Sequence, residues 1–334
     1  MIDERWDPEV EEIAEALAKM LAAESSPEAV RAAERDHQGV SPPLQLQIDA
    51  FGLDGLEGSP ALFARIAMEF GRSLASVPFV ETMPVLALTG QPGIAFGFRG
   101  LVPASLARAV VWGSNGATIV EVGGAGRKTA AGDHLVEIDA NAAGESLGDA
   151  DLADRLERYA ALVNAARIVG AGQALLSYAR DYVCEREQFG RPIGSFQAIG
   201  HRLANVVGEL DAADLLVRKA AFAAEVENGG DGAPPAHFAT MVWAKAVQAG
   251  RLAATDAHQV FGGNGFAMEY DVQLYSRRIR NWIMRGPRTS ESLADFGRAL
   301  LDPASRDAMT LLWQFETGVE IPRWAREADR HASG

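Results

Sequence analysis

Between Leu152 and Phe189 the chain reads LADRLERYAALVNAARIVGAGQALLSYARDYVCEREQF. This is one long helix with Ala and Gly at close-packing positions. A helix of that length buries its apolar stripe only against partners of similar length, so the rest of the fold must supply them. SFQAIGHRLANVVGELDAADLLVRKAAFAAEVEN reads as a second such helix and AHFATMVWAKAVQAGRLAATDAHQVF as a third, with GGDGAPP as the turn between them. RTSESLADFGRALLD begins a fourth. Long helices with short joints predict an antiparallel four-helix bundle over residues 149–334.

The first 82 residues also read as helical. Val10, Ile13, Ala14, Leu17 and Leu21 recur at helical spacing. ESSPEAVRAAERDHQGVSPP reads as a broken, polar stretch, and LQLQIDAFGL as helix. SPALFARIAMEFGRSLASV opens on Ser59-Pro60, a cap residue followed by proline at the first helical position. The texture changes near Met83. VLALTG, GIAFGFRGLV, RAVVWGS, ATIVEVGG and HLVEIDA are short apolar runs divided by Gly, Asn and Asp. That is strand punctuation, and it predicts a small antiparallel β domain over residues 83–148. The fold class expected is α+β: helical N-domain, β middle domain, helical bundle.

A formal net charge of −14 argues against a nucleic-acid partner. An anionic ligand would need local arginine clusters. The one cysteine, Cys184, excludes a disulfide within the chain and a cysteine metal cluster; its setting reads as a packed helix position. No apolar run approaches the roughly 20 residues of a membrane span. MIDERWDPEVEEIAEAL is acidic and amphipathic, without the apolar core of a signal peptide. A cytoplasmic protein with no membrane partner is the expectation.

Two stretches carry chemistry. Arg186 to Gly190, REQFG, closes the long helix, and GSFQ follows. A guanidinium there can hold a diphosphate bidentately. Alone, the segment suits equally a helix end with a dipole-compensating arginine and a turn glycine. His258 to Phe266, HQVFGGNGF, follows the third helix. Its glycines let a backbone approach a ligand and expose N–H groups, although a Gly-Asn-Gly helix stop reads the same way. RRIRNW, Arg277 to Trp282, is a local basic cluster that suits a solvated helix face, with contact to a CoA phosphate or to a partner's acidic face as the alternative. His201 and His258 lack companions at metal spacing and suit structural roles, and MVWAKAV suits bundle core.

Taken together and in this order, REQFG…FQ and, about 60 residues on, HQVFGGNGF…EY resemble the acyl-CoA dehydrogenase family. The resemblance is strong over residues 160–285, weaker over 45–85 and poor over 86–148. It implies FAD held at a subunit interface. Arg186, Gln188, Phe189, Ile193 and Gln197 fall on the family's diphosphate-gripping segment. Gln259, Gly262, Gly263 and Gly265 fall on the segment by which a neighbouring subunit closes over the cofactor. It implies further an acyl-CoA thioester as substrate, an electron-accepting flavoprotein, and a protein that is not a functional monomer.

The resemblance also exposes a gap. Family chemistry needs a glutamate to remove a proton α to the thioester, and general-base assistance is worth roughly 10²–10⁴-fold. Counting from Glu269-Tyr270, the usual glutamate position falls on Gly286, and a slip of one puts it on Arg285. Glu291 is the nearest carboxylate downstream and should lie in the next helix. The alternative position on the long helix falls on Ala160. Glu157, one turn earlier on roughly the same face, is a candidate displaced base; an exposed glutamate beside Arg155 and Arg158 is the competing reading. The Thr-Glu-Pro-x-x-Gly-Ser-like loop of the family's β domain has no match in 83–148. This pattern resembles the degenerate subunit of heteromeric acyl-CoA dehydrogenases of bacterial steroid and side-chain degradation. There two unlike subunits pair into a heterotetramer, one supplying the glutamate and the other completing the FAD site. The alternatives are a homo-oligomeric flavoenzyme with a displaced base and an interaction subunit without cofactor.

Overall fold

The computed structural model of the chain describes residues 5–36, 38–56, 59–113, 116–226 and 232–309. Five helices come first: α1 (Pro8–Glu24), α2 (Pro27–Asp36), α3 (Pro42–Phe51), α4 (Pro60–Arg72) and α5 (Phe79–Thr89). Asp7, Ser41 and Ser59 cap α1, α3 and α4 by accepting a backbone N–H in the first turn, each just before a proline that has no N–H to orphan. α2 lies in the stretch read as broken and polar. Only Val30 and Ala33 of it are buried, too few to stand out among its charges. α5 takes up the VLALT run read as a strand. Phe79 to Leu86 are all buried, so the helix shows no polar face and no 3.6-residue period.

Seven short strands follow: β1 (Ile94–Phe96), β2 (Leu101–Pro103), β3 (Arg108–Gly113), β4 (Gly116–Glu121), β5 (Arg127–Lys128), β6 (His134–Glu137) and β7 (Glu145–Gly148). They form two small sheets, ordered β1-β3-β4-β7 and β2-β6-β5. All their pairings are antiparallel, as expected, except β1 with β3, where Ile94 lies opposite Arg108 in parallel register.

The helical remainder comprises α6 (Ala150–Glu185), a hairpin of β8 (Glu187–Gln188) and β9 (Arg191–Pro192), α7 (Gln197–Val226), α8 (Ala236–Phe261), α9 (Val272–Arg285), α10 (Thr289–Leu301) and α11 (Pro303–Ala308). The turn read over residues 229–235 lies partly outside the described residues, as does the chain beyond Met309. The bundle's fourth helix is α9 rather than the RTSES helix: α9 packs on α6 and α8, whereas α10 buries none of its side chains. The RRIRNW face is therefore not solvated. Arg278 is 3% exposed, and Ile279 and Trp282 are buried with it. Cys184, expected to be packed, is exposed. A window of α6 is apolar and long enough to cross a membrane by composition, contrary to the sequence reading, but 72% of it is buried inside the protein, as in a core helix.

α6 is the axis of the molecule and packs against α4, α5, α7, α8 and α9. Its crossing with α4 is a backbone contact. A Cβ at Gly71 would lie 1.9 Å from the carbonyl oxygen of Arg167, and a Cβ at Gly170 would lie 2.0 Å from that of Met68. Each glycine makes room for the other helix, and both obstacles are backbone, which cannot swing away. Gly170→Ala therefore lowers stability by about 1–3 kcal/mol. Gly208→Ala, on the exposed face of α7 with nothing within 4 Å of the new methyl, raises it slightly. Paired urea titrations of the two variants check the opposite signs.

Candidate functional site

At one end of the bundle α6 stops at Glu185, and Arg186 turns into extended backbone. Glu187 to Pro192 fold back as the β8–β9 hairpin, with Phe189 at φ +55 and Gly190 at φ +77 in its turn. Positive φ at both central residues suits the right-handed twist of a two-residue hairpin, although phenylalanine adopts it only at a cost of roughly 1–2 kcal/mol. The N–H of Ile193 donates to the Arg186 carbonyl at 2.8 Å and closes the hairpin. The Arg186 side chain is exposed, and no salt-bridge or hydrogen-bond partner holds its guanidinium among the described residues. Phe189 stands 94% exposed at the tip, edge-on to Phe196 at 6.1 Å. Gln197 is exposed at the start of α7. The Gln188 carboxamide is turned inward on its own hairpin, donating to the Glu187 carbonyl at 2.6 Å.

The glycine segment lies against the same end. α8 terminates at Phe261, and Gly262 takes φ +58, ψ −132, a conformation that demands glycine. A 3₁₀ turn covers Gly262–Phe266. Gly262 and Gly263 are exposed with nothing within 4 Å of a would-be Cβ, so their backbone is open to a ligand. Gly265 is buried instead, its would-be Cβ 3.1 Å from the His258 ring and carbonyl, which makes it a packing glycine. Gln259 is exposed in the last turn of α8. His258 hydrogen-bonds Ser276 Oγ at 2.7 Å, a structural role. The side-chain amide of Asn264 donates to the Tyr182 hydroxyl at 2.9 Å, one turn before Arg186. This bond ties the chain's own glycine turn to α6 one helical turn before Arg186. An arginine without a partner among the described residues and a bare glycine backbone are groups that fit the diphosphate of a dinucleotide.

The end to which the resemblance assigns proton acceptance is different. Gly286 caps α9 and is buried, and a Cβ there would lie 2.1 Å from the indole of Trp243. Trp243 is 1% exposed and donates its Nε1–H to the Pro287 carbonyl at 3.1 Å. Its ring continues a line of aromatics, Trp243 to Phe98 at 6.2 Å, Phe98 to Phe96 at 5.6 Å and Phe96 to Trp112 at 5.6 Å. Arg99, at φ +58 in the β layer, donates to the carbonyl of Met284. The usual glutamate position is therefore filled as well as substituted.

Next to it, Arg285 reaches Glu81 at 3.1 Å and Asp133 at 3.6 Å, and Arg167 donates to Glu81 at 3.0 Å. Arg277 and Arg278 pair with Glu34 at 2.8 and 3.4 Å. Burial alone would raise the Glu81 carboxyl, but Arg167 and Arg285 outweigh it and hold it below its ordinary value. This charged seam joins α5 and the β layer to α9. It leaves Arg285 engaged with Glu81 and Asp133.

Of the other candidates, Ala160 is 1% exposed in the bundle core. Glu291 lies in α10, as expected, and is exposed and paired with Arg288 at 2.8 Å. Glu157 is half-buried rather than exposed. Burial, and secondarily Asp154, push its pKa up to about 7. The sequence reading missed Trp243, Tyr182 and Asn264. Trp243 was correctly expected in the core, but nothing local in MVWAKAV signals that its indole lies under Gly286, 43 positions on.

Comparison with known proteins identifies the family and the fold. Residues 156–288 match the family model "Acyl-CoA dehydrogenase, C-terminal domain". The acyl-CoA dehydrogenase IpdE2 of Mycobacterium tuberculosis is 30% identical over 307 residues, covering 82% of this chain and 92% of that protein. Two other curated relatives, 38% and 36% identical, are matched over 17% and 33% of their own lengths. Two solved structures share the fold at a TM-score of 0.77 each. The ChsE4–ChsE5 complex from Mycobacterium tuberculosis is 20% identical and covers 90% of this chain and 99% of that one. The Tcur3481–Tcur3483 steroid ACAD G363A variant is 21% identical and covers 89% and 99%. With a family match over residues 156–288 and 30% identity along nearly the whole of IpdE2, the chain belongs to the acyl-CoA dehydrogenase family.

Proposed function

We propose that this chain is the partner subunit of a heteromeric acyl-CoA dehydrogenase. It holds the dinucleotide end of FAD, while a second, unlike subunit supplies the catalytic glutamate. The observation that carries this reading is the contrast between its two ends. The Arg186–Gly262 end is open, whereas the base position at Gly286 is stopped by the Trp243 indole 2.1 Å from where a Cβ would sit. Arg186 would grip the pyrophosphate, with the Gly262 and Gly263 backbone and Gln259 against it. Bound flavin supplies the hydride acceptor for α,β-dehydrogenation of a CoA thioester. The proton leaving the α carbon would go to the partner's carboxylate, because here the neighbouring charges are bound to each other. A bulky, steroid-type acyl group is the substrate class favoured, by likeness to the Tcur3481–Tcur3483 steroid ACAD. An electron-transferring flavoprotein is the natural oxidant class, and a cytoplasmic setting suits the single exposed thiol.

Flavin content decides between the readings. The chain co-expressed with an acyl-CoA dehydrogenase-like partner should carry one flavin for each pair of chains, and Arg186→Ala should strip it. One flavin per chain from the chain purified alone would support a homo-oligomer. A colourless complex would support an interaction subunit. Gly286→Glu should restore no activity and should cost about 1–3 kcal/mol of stability through its clash with the indole.

The homo-oligomer keeps one observation in its favour, the raised pKa of Glu157. If Glu157 is the base, activity rises with pH through about 7 and Glu157→Gln abolishes it. If it is not, the shift still shows in stability. The folded state then binds a proton that the unfolded chain has released, so stability falls as pH rises from the ordinary 4.5 to about 7. Glu157→Gln should remove that loss, gaining about 2 kcal/mol at pH 8 and little at pH 4.5. Thermal melts at the two pH values check it.

A further inference from the structure

Tyr178 and Tyr182 lie one turn apart on α6, and each hydroxyl reaches one end of the loop that follows α8. The Tyr182 hydroxyl accepts from Asn264 Nδ2 at 2.9 Å, inside the glycine turn. The Tyr178 hydroxyl accepts the backbone N–H of Asp271 at 3.3 Å, where the loop enters α9. Between them sits Phe261, the last residue of α8. Its ring stacks on Tyr182 at 3.9 Å and 14° and on Tyr178 at 5.2 Å and 23°. Tyr270 closes the cluster edge-on, 5.6 Å from Phe261 and 6.0 Å from Tyr182.

The rings do the packing and the hydroxyls set the position. The loop buries little of its own: Gly262, Gly263, Phe266, Met268 and Glu269 are exposed. From outside the cluster, Arg31 of α2 holds its far end through the Met268 carbonyl and Asp271. Among the hydrogen bonds of the described residues, the Tyr182–Asn264 pair ties the glycine turn itself to α6. Only three residues, Val183, Cys184 and Glu185, separate Tyr182 from Arg186, so the bond anchors the turn one helical turn from the arginine's backbone.

We propose that Tyr182 is a positioning residue for the dinucleotide site: its hydroxyl, through Asn264, sets the register between the Gly262–Gly263 backbone and Arg186. This rests on the FAD reading above. Tyr182 touches no ligand itself and acts by denying the turn the freedom to swing away from the arginine. A loop that must be ordered on binding loses affinity by the cost of ordering it, so pre-fixing it tightens binding without a new contact.

The test separates register from packing. Tyr182→Phe keeps the ring on Phe261 and removes only the hydroxyl. Asn264→Ala removes the donor. FAD is titrated into the full chain, in the same oligomer in which flavin content is measured, with Arg186→Ala as reference. Each single variant should bind FAD about three- to tenfold more weakly, the range of one hydrogen bond. The double variant should bind no more weakly than either, because both remove the same bond. Amide exchange at residues 262–266 should quicken while the melting temperature stays put. If both variants bind FAD as the wild type does while Arg186→Ala does not, Tyr182 has no positioning role and the FAD reading stands. If the losses multiply in the double variant, or the melting temperature falls with them, the hydroxyl acts on stability or elsewhere and the proposal is overturned. If the wild type takes up no FAD, both the reading and the proposal fail.

Discussion

The fold depends on two helices meeting backbone to backbone. Gly71 of α4 and Gly170 of α6 sit opposite the carbonyls of Arg167 and Met68, with no side chain between them. That approach lets α6 carry five helical neighbours at once. It also fixes Arg167, whose carbonyl faces Gly71 while its guanidinium reaches Glu81. The crossing point is therefore tied directly to the charged seam. Nearly all of α6 from Tyr159 to Gly172 is buried, so its polar members point where the packing sends them.

That seam is expensive to build. Two buried arginines and a buried glutamate lose water, and their mutual attraction repays the cost only when the geometry is good and the remaining groups are bonded. Arg167 satisfies much of this, with Glu81 and Asn164 as partners and Trp282 beneath its guanidinium at 4.4 Å, although its Nε finds no partner. Breaking one member leaves an uncompensated charge, so the network resists partial change. Acid removes it in one direction only: Glu81 holds its proton less tightly than in the unfolded chain, so its contribution is present at neutral pH and is lost as pH falls through its depressed pKa. Beside this seam the aromatic line from Trp112 to Trp243 fills the space up to Gly286. Recovering a base here takes more than one substitution, because the surroundings have closed over its position.

Much of this was legible in the sequence. The third bundle helix has the bounds its text suggests, Ala236–Phe261, since a Pro-Pro turn opens it and glycines close it. Ser59-Pro60 marks the start of α4 for the same local reason. The arginine hairpin and glycine turn were visible because their chemistry sits in short contiguous text. Misreadings occurred where the deciding partner is remote. RRIRNW looks solvated because its counter-charge, Glu34, lies more than 240 residues away. VLALT looks like a strand because a helix buried on every side has no period to show. The text shows glycine at position 286, but the indole that a side chain there would meet is a fact of packing.

A chain that had merely decayed would be expected to lose its two halves together. Here they diverge. The overall charge is −14, yet Arg186 has no partner among the described residues and stands exposed at the end of a helix, while Gly262 and Gly263 leave their backbone bare. Leaving an arginine unpaired there gains nothing for stability, since even a well-placed exposed pair is worth only about 0.2–1 kcal/mol. Phe189 is likewise held at positive φ and left 94% exposed, a local cost for which the described residues return only the edge of Phe196. Both costs make sense if the return comes from outside the chain. A ligand anion would take up the arginine, and a ligand or a second subunit would cover the ring. Strain and exposure at one end, and closure by indole and ion pairs at the other, are what the proposed division of labour would require of a subunit that leaves proton acceptance to its partner.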